Sequence, residues 1–408
     1  MKFKALVRLI LLTMAPLLST EAHGQDFSVI HQFSGLDGSE PYSGVTIRDG
    51  VLYGTTFCWQ FACSGGRVYQ IQHVGSDWVY STISELPAGG DGPTARVLFG
   101  PDGALYGTTF SGGSKGDGVV FNLTPPLWTE TVLHGFAGSP DGDSPGYGDL
   151  IWDHSGNIYG TTVGGGTAHD LIHLGMGTVF EMTQLGNDWT ETPIYFFGGP
   201  DGAYPESGVI FDNNGNLLGT TSQGGMYGYG TVFRLTYIDG IGWKQTVLYS
   251  FRNQSDGQYP IGSLIMDSTG NLYGTTNAGG SGTGGTVFEL IPSGNTYTFK
   301  LLYSFPGTQT YFYCGPAASL SMDSTGNLYG TTTCDGAYGY GNVFKLTSTG
   351  DGWQYASLHD FTRYLDGGYP VSNVTFDSDG NLYGSAAIGG NPDIPCNQGC
   401  GTVWMIKP

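Results

Sequence analysis

The chain has 408 residues, 71 of them glycine, with 12% charged residues and a formal net charge of -20. So acidic a surface repels phosphate backbones and anionic lipid, which excludes nucleic-acid binding and gives no support for membrane insertion. Glycine at this density without a Gly-X-Y period fits a disordered chain, but aromatic and β-branched residues recur regularly enough here to bury a core.

Residues 1–24 read as an export signal. Lys2, Lys4 and Arg8 give a positive start, Leu9 to Leu18 is an apolar run too short to span a bilayer, and Ala22-His23-Gly24 offers small residues for cleavage. Residues 25–408 are then expected as one domain of a monomeric, secreted or periplasmic protein. Six cysteines suit that compartment. Cys58 with Cys63 and Cys396 with Cys400 share loops, and Cys314 with Cys334 remain. Disulfides are expected over zinc, because no histidine partners stand near these pairs.

One phrase organises the rest. It is Gly-Asn-Leu-Tyr-Gly-Thr-Thr, a glycine-rich interval, and Gly-Thr-Val-Phe-Glu-Leu, stated in full at Gly270–Leu290. Its Tyr-Gly ends at Gly54, Gly107, Gly160, Gly219, Gly274, Gly330 and Gly384, in steps of 53, 53, 59, 55, 56 and 54 residues. Seven copies at one period mean a repeat architecture.

The first strand expected in a unit is Leu264-Ile265-Met266, followed by an Asp-Ser-Thr-Gly-Asn turn. Leu272–Thr276 is the second strand, Asn277–Gly285 a loop, Thr286–Leu290 the third strand and Tyr297–Phe305 the fourth. Such short connections make an antiparallel meander. Glycine inside the second strand needs a close neighbour, and a ring such as Phe288 on the neighbouring sheet would supply one. Seven such sheets around an axis make a seven-bladed β-propeller. Phe27–Phe33 matches a fourth strand but precedes any first strand, while the last repeat lacks its fourth. The N-terminal strand is therefore expected to complete the last blade and leave no open edge.

These copies resemble the GloVer tandem-repeat family of exported bacterial proteins, over nearly all of the mature chain. The first-strand–turn–second-strand element is similar to that of NHL-type propellers. The resemblance implies no reaction and carries over no catalytic residues. Leu218, Ser385-Ala386, Trp404 and Arg67 depart from the phrase.

A second motif sits between units: Phe, a gap, Asp-Gly, two residues and Pro. Its aspartates are Asp37, Asp141, Asp201, Asp256 and Asp366, with Asp91 in a looser version. Strand alternation puts these segments and the second-to-third-strand loops on one face. Two readings stay open for the carboxylates: a cation site, calcium being the ion that fits, or a sugar site; or turn geometry, with each Asp bonding its own loop. Trp59, Tyr227, Tyr229, Tyr338 and Tyr340 are loop aromatics, suited to stack on sugars, to grip a protein, or to pack on neighbouring loops. His169 and His173 form a His-x3-His pair, a spacing that suits zinc on a helix, but they lack an identifiable third ligand.

The function expected is non-enzymatic: binding of a glycan or extracellular protein through the loop face. A polysaccharide lyase or hydrolase is the alternative, drawing on irregular residues such as Asp143, Glu206, His169 or Asp335. A structural surface or matrix component is a third reading.

Overall fold

A computed structural model describes residues 25–57, 65–86, 92–167, 175–294, 296–307, 314–392, 396 and 398–408. The described residues form seven four-stranded antiparallel sheets and no helix. In blades 1 to 6 the strands lie in chain order. Blade 7 takes Thr375–Phe376, Leu382–Ala386 and Thr402–Lys407 as its first three strands and Asp26–Gln32 as its fourth. Asp26 pairs with Lys407 and Gln32 with Thr402, so the expected ring closure is present.

The closing strand copies the others in detail. Every third-to-fourth-strand pair carries a register shift beside the Val of Gly-Thr-Val-Phe or its equivalent, as between Val287 and Phe288. Asp26–Gln32 carries its own, between Val29 and His31. A bulge there increases the twist that an outer strand needs to wrap its blade.

Within a blade, the repeated phrase is a packing rule. Gly274 is directly paired with Phe288, and a Cβ on Gly274 would stand 2.6 Å from Phe288 Cζ. The same approach recurs from Gly107 to Phe121, Gly160 to Phe180, Gly219 to Phe233 and Gly330 to Phe344. At Gly384 the wider ring of Trp404 takes the position, and at Gly54 that of Tyr69. The ring thus comes from the paired strand of the same blade, not from the neighbouring sheet as expected. Cross-strand pairs sit closest in a sheet, so that is where an absent side chain makes room.

The two threonines do separate jobs. The first reaches the next blade: Thr161 Oγ1 donates to Ser207 O at 2.7 Å and Thr331 Oγ1 to Ser372 O at 2.8 Å. The second pairs with the residue opening the third strand, as in Thr276–Thr286 and Thr221–Thr231, each 2.8 Å. The turn residues are also bonded together. Asp267 Oδ1 accepts from Thr269 N and Asn271 N, while Oδ2 accepts from Asn271 Nδ2 and the Tyr273 hydroxyl. Asp, Asn and Tyr of the phrase are one network closing the hairpin.

Between blades, outer strands meet through aromatic pairs in four seams. Phe27 lies 3.5 Å from His359 and His31 4.3 Å from Tyr80, both nearly parallel. Tyr249 stacks on Phe299 and Tyr303 on Tyr355, at 4.8 and 4.5 Å. The closing strand therefore serves two seams, one on each side of blade 7.

Candidate functional site

The segments between blades reach the loop face by a fixed route. The residue before each motif proline has a left-handed backbone, with φ of 55° at Glu40, 58° at Ser144 and 56° at Tyr204, Tyr259 and Tyr369. A residue preceding proline prefers extended geometry, so this conformation needs support. Its N–H donates to the preceding blade and its carbonyl accepts from its own blade. Tyr369 N donates to Tyr340 O at 2.8 Å, and Ala387 N donates to Tyr369 O at 3.2 Å. Glu40, Ser144, Tyr204 and Tyr259 are held in the same way.

The motif aspartates turn into these segments. Asp37 accepts from Ser34 N at 2.7 Å and lies 3.0 Å from His31 Nε2. Asp141 has Ala137 N and His134 Nε2 at 3.0 and 3.2 Å, and Asp366 has Thr362 N and His359 Nε2 at 2.9 and 3.2 Å. Tyrosine replaces histidine beside Asp201 and Asp256, through Tyr195 and Tyr249. Each carboxylate thus joins its segment to the preceding fourth strand. Hydrogen bonds from the paired histidines and from the loops hold Asp37, Asp141 and Asp366 below the usual carboxylate range, against the opposing effect of burial, the largest single cause. Asp91, Trp59, His169, His173, Cys58 and Cys63 lie outside the described residues.

The loop tyrosines divide. Tyr227 and Tyr338 are exposed, whereas Tyr229 and Tyr340 pack against hydrophobic clusters between blades. Arg252 stands over Tyr227 and Arg363 over Tyr340, at 5.3 and 5.6 Å. The expected Cys314–Cys334 and Cys396–Cys400 disulfides are both formed, with Cα atoms 4.8 and 5.4 Å apart.

What the repeats enclose is a channel with a waist. At the loop face a cup of about 500 Å³ is lined by Glu40, Tyr42, Phe57, Thr94, Tyr147, Glu206, Ile261, Ala317, Tyr369 and Val371. Below it the passage narrows to about 60 Å³. Arg96 and Asp149 meet there: Arg96 Nε and backbone N donate to Asp149 at 2.8 and 2.9 Å, and Nη2 lies 2.6 Å away. Beyond the waist a chamber of about 460 Å³ carries Leu98, Ile151, Ile210, Ile265, Met322 and Phe376 from the short first strands. On the opposite face, Trp152, Trp189 and Tyr106 frame a cleft of about 290 Å³ beside a turn.

The cup combines rings with carboxyl groups. Tyr42 meets Phe57 edge-on at 5.4 Å, and Phe110 meets Tyr147 at 5.6 Å. Burial, then the charge of Glu40, pushes the Tyr42 phenol up to about 12. Burial and Glu206 raise Tyr147, and burial raises Tyr369. All three phenols keep their protons at neutral pH and can donate. Burial raises Glu206 too, opposed by the Ser222 hydroxyl that donates to it at 2.8 Å. Of the irregular acids Asp143, Glu206 and Asp335, only Glu206 lines the cup. The sequence reading missed Tyr42, Tyr147, Tyr369 and Glu40. They stand one before, one after or two after their prolines, and only the closed ring brings them together.

Fold and cup together define a seven-bladed propeller whose mouth is lined by residues that differ from blade to blade. The chain belongs to the Gloeobacter/Verrucomicrobia repeat family, whose sequence model matches residues 17–210 and 207–408. No curated protein matches it in sequence. Among solved structures it is similar to a Bacteroides fragilis protein provisionally named a 6-phosphogluconolactonase (TM-score 0.53, 15% identity, 84% of this chain and 88% of that one). It is also similar to an ancestral GH74 enzyme (0.53, 12%, 90% and 48%) and to the periplasmic gluconolactonase of Pseudomonas aeruginosa (0.50, 14%, 79% and 88%). At these identities the likeness is one of fold alone.

Proposed function

We propose that this protein is an exported, non-catalytic propeller that holds a polar glycan segment in the cup at its loop face. The observation carrying this reading is the lining itself. Protonated tyrosines and a phenylalanine offer faces for sugar rings, and Glu40 and Glu206 offer acceptors for hydroxyl groups. The residues just after the motif proline vary where the scaffold repeats: Tyr42, Thr94, Glu206, Ile261, Ala317 and Val371. A scaffold has no need of that variety; a ligand does. The two disulfides suit the oxidising compartment that export implies.

The test is a glycan array followed by calorimetry on the best ligand, with Tyr147→Ala and Tyr369→Ala. Binding that both variants weaken supports the reading. No glycan above background, or affinity untouched by either change, overturns it.

One observation favours a second reading, cleavage of the bound glycan. Glu206 is a half-buried carboxyl raised above its ordinary range, Glu40 lines the same cup, and a raised acid working with a second carboxylate is what a glycosidase uses. Shorter oligosaccharides released from a bound polysaccharide, and lost in Glu206→Gln, would establish it.

A further inference from the structure

We infer that His134, Asp141 and Glu191 form a divalent-cation site of the zinc class across the seam between blades 2 and 3. One ligand atom from each lies within 4.8 Å of the other two, and all three side chains are half-buried. They come from three places: His134 from the fourth strand of blade 2, Asp141 from the segment joining the blades, and Glu191 from the fourth strand of blade 3.

The other seams supply the internal control. The His–Asp pair itself is ordinary, since His31 with Asp37 and His359 with Asp366 repeat it. In those two seams the histidine is covered by a parallel ring, Tyr80 or Phe27. Glu191 stands where Tyr80 stands, two residues after the tryptophan that opens the fourth strand, Trp189 or Trp78. A carboxyl group has taken the place of a stacked ring.

Glu191 Oε1 is sealed from solvent and has no hydrogen-bond partner among the described residues. The group faces the carboxylate of Asp141. Two facing carboxylates in a shielded seam need a positive charge between them: a proton on Glu191 shared with Asp141, favoured by the burial and the Asp141 charge that hold Glu191 well above its usual range, or a cation that displaces it. Negative charge also extends along the seam: burial and then Asp143 and Asp141 hold Asp117 above its usual range. One imidazole nitrogen and two carboxylate oxygens make a borderline, mixed donor set, which suits zinc better than the all-oxygen shell of calcium or magnesium. Three protein ligands leave a fourth position for water. The ion would tie two blades and their linker, the work that ring stacking does in the other seams.

The test is calorimetric titration of the metal-stripped protein with Zn²⁺. One ion per chain is expected. Glu191→Gln should weaken it by more than about tenfold, the scale on which even outer-shell changes act. Glu191→Tyr should restore a stacked ring, fold normally and take up no ion at this seam. Zn²⁺ should raise the melting temperature of the parent protein and not of Glu191→Tyr. His359→Gln should leave uptake unchanged. No uptake, uptake equal in Glu191→Gln, or equal loss in His359→Gln overturns the site.

Discussion

The inside of a blade and the mouth of the ring are built from the same seven repeats, yet they obey opposite rules. Inside a blade, a glycine faces an aromatic ring in every copy and the second threonine or its replacement meets the third strand. At the mouth, the residues after the seven prolines are tyrosine, threonine, glycine, glutamate, isoleucine, alanine and valine. Packing between identical neighbours permits one solution, so it repeats. A cup shared by all blades belongs to none of them, and each can contribute a different group. Uniformity therefore marks what holds the ring, and variety marks where it meets something else.

Changes on the uniform side should cost the most stability. Deleting residues 26–34 removes the outer strand of blade 7, the buried Phe33 and two stacked seams. We expect a loss of several kcal/mol in chemical denaturation and a protein prone to associate through its open edge. An unchanged melt would disprove the clasp.

Replacing Cys314 and Cys334 by serine opens a link spanning 20 residues. It should cost about 3 kcal/mol on the chain-entropy view. Non-reducing peptide mapping should find this bridge in the parent protein.

Gly274→Ala forces a methyl group against Phe288. Overpacking of this kind costs about 1–3 kcal/mol. Ala at the solvent-side turn residue Gly294, with nothing within 4 Å of its Cβ, should strain only its left-handed backbone and cost less. Equal melts for the two variants would break the distinction between packing glycines and turn glycines.

On the varied side, Tyr147→Ala should leave the melt nearly unchanged, because this ring is 46% exposed. Its effect belongs in binding. Glu206→Gln should make the protein slightly more stable near neutral pH. The folded state raises this carboxyl above its ordinary range, so its contribution is favourable at low pH and is lost as pH rises through the folded value. A melt of Glu206→Gln below that of the parent at pH 7 would contradict this.

The smallest effect concerns the turns. Hydrogen bonds from Asn327 and Thr325 outweigh burial and lower Asp323 to about 2. A depressed carboxylate stabilises above its unfolded value and loses that contribution as pH falls from about 4 towards 2. Asp323 is only half-buried and solvent screens it, so the loss per turn should stay under about 1 kcal/mol. Asp323→Asn should flatten the acid limb of the stability curve slightly.

The blades were legible because their rules are local. Tyr-Gly-Thr-Thr and Gly-Thr-Val-Phe lie within one hairpin, and a strand without a unit beside a unit without a strand announces the closure. The Cys314–Cys334 bridge was legible for the same reason, since the turn midway between them folds the two side by side. The cup was not. Tyr42 follows its proline, Tyr369 precedes its own, and Tyr147 sits in a segment lengthened by one residue, so no spacing links them. Arg96 and Asp149 are 53 residues apart, one period, but only knowledge of the ring turns one period into a contact. The role of Glu191 was hidden for another reason. A glutamate on an outer strand looks like solvated surface until the stacked rings of its equivalents are seen.

Closure by Asp26–Gln32 also has a meaning in time. That strand is made long before its partner, since it pairs with Thr402–Lys407 and Gln32 Nε2 donates to a carbonyl 333 positions away at Leu365. Until then it is an unpaired edge with a phenylalanine at each side of the pleat, the kind of segment that joins the wrong neighbour. Six blades can stack while they wait, because each needs only the one before it. The final step must draw together segments separated by almost the whole chain, and such long-range pairing is slow. Chain order therefore leaves this edge without its partner until residue 402 has been made.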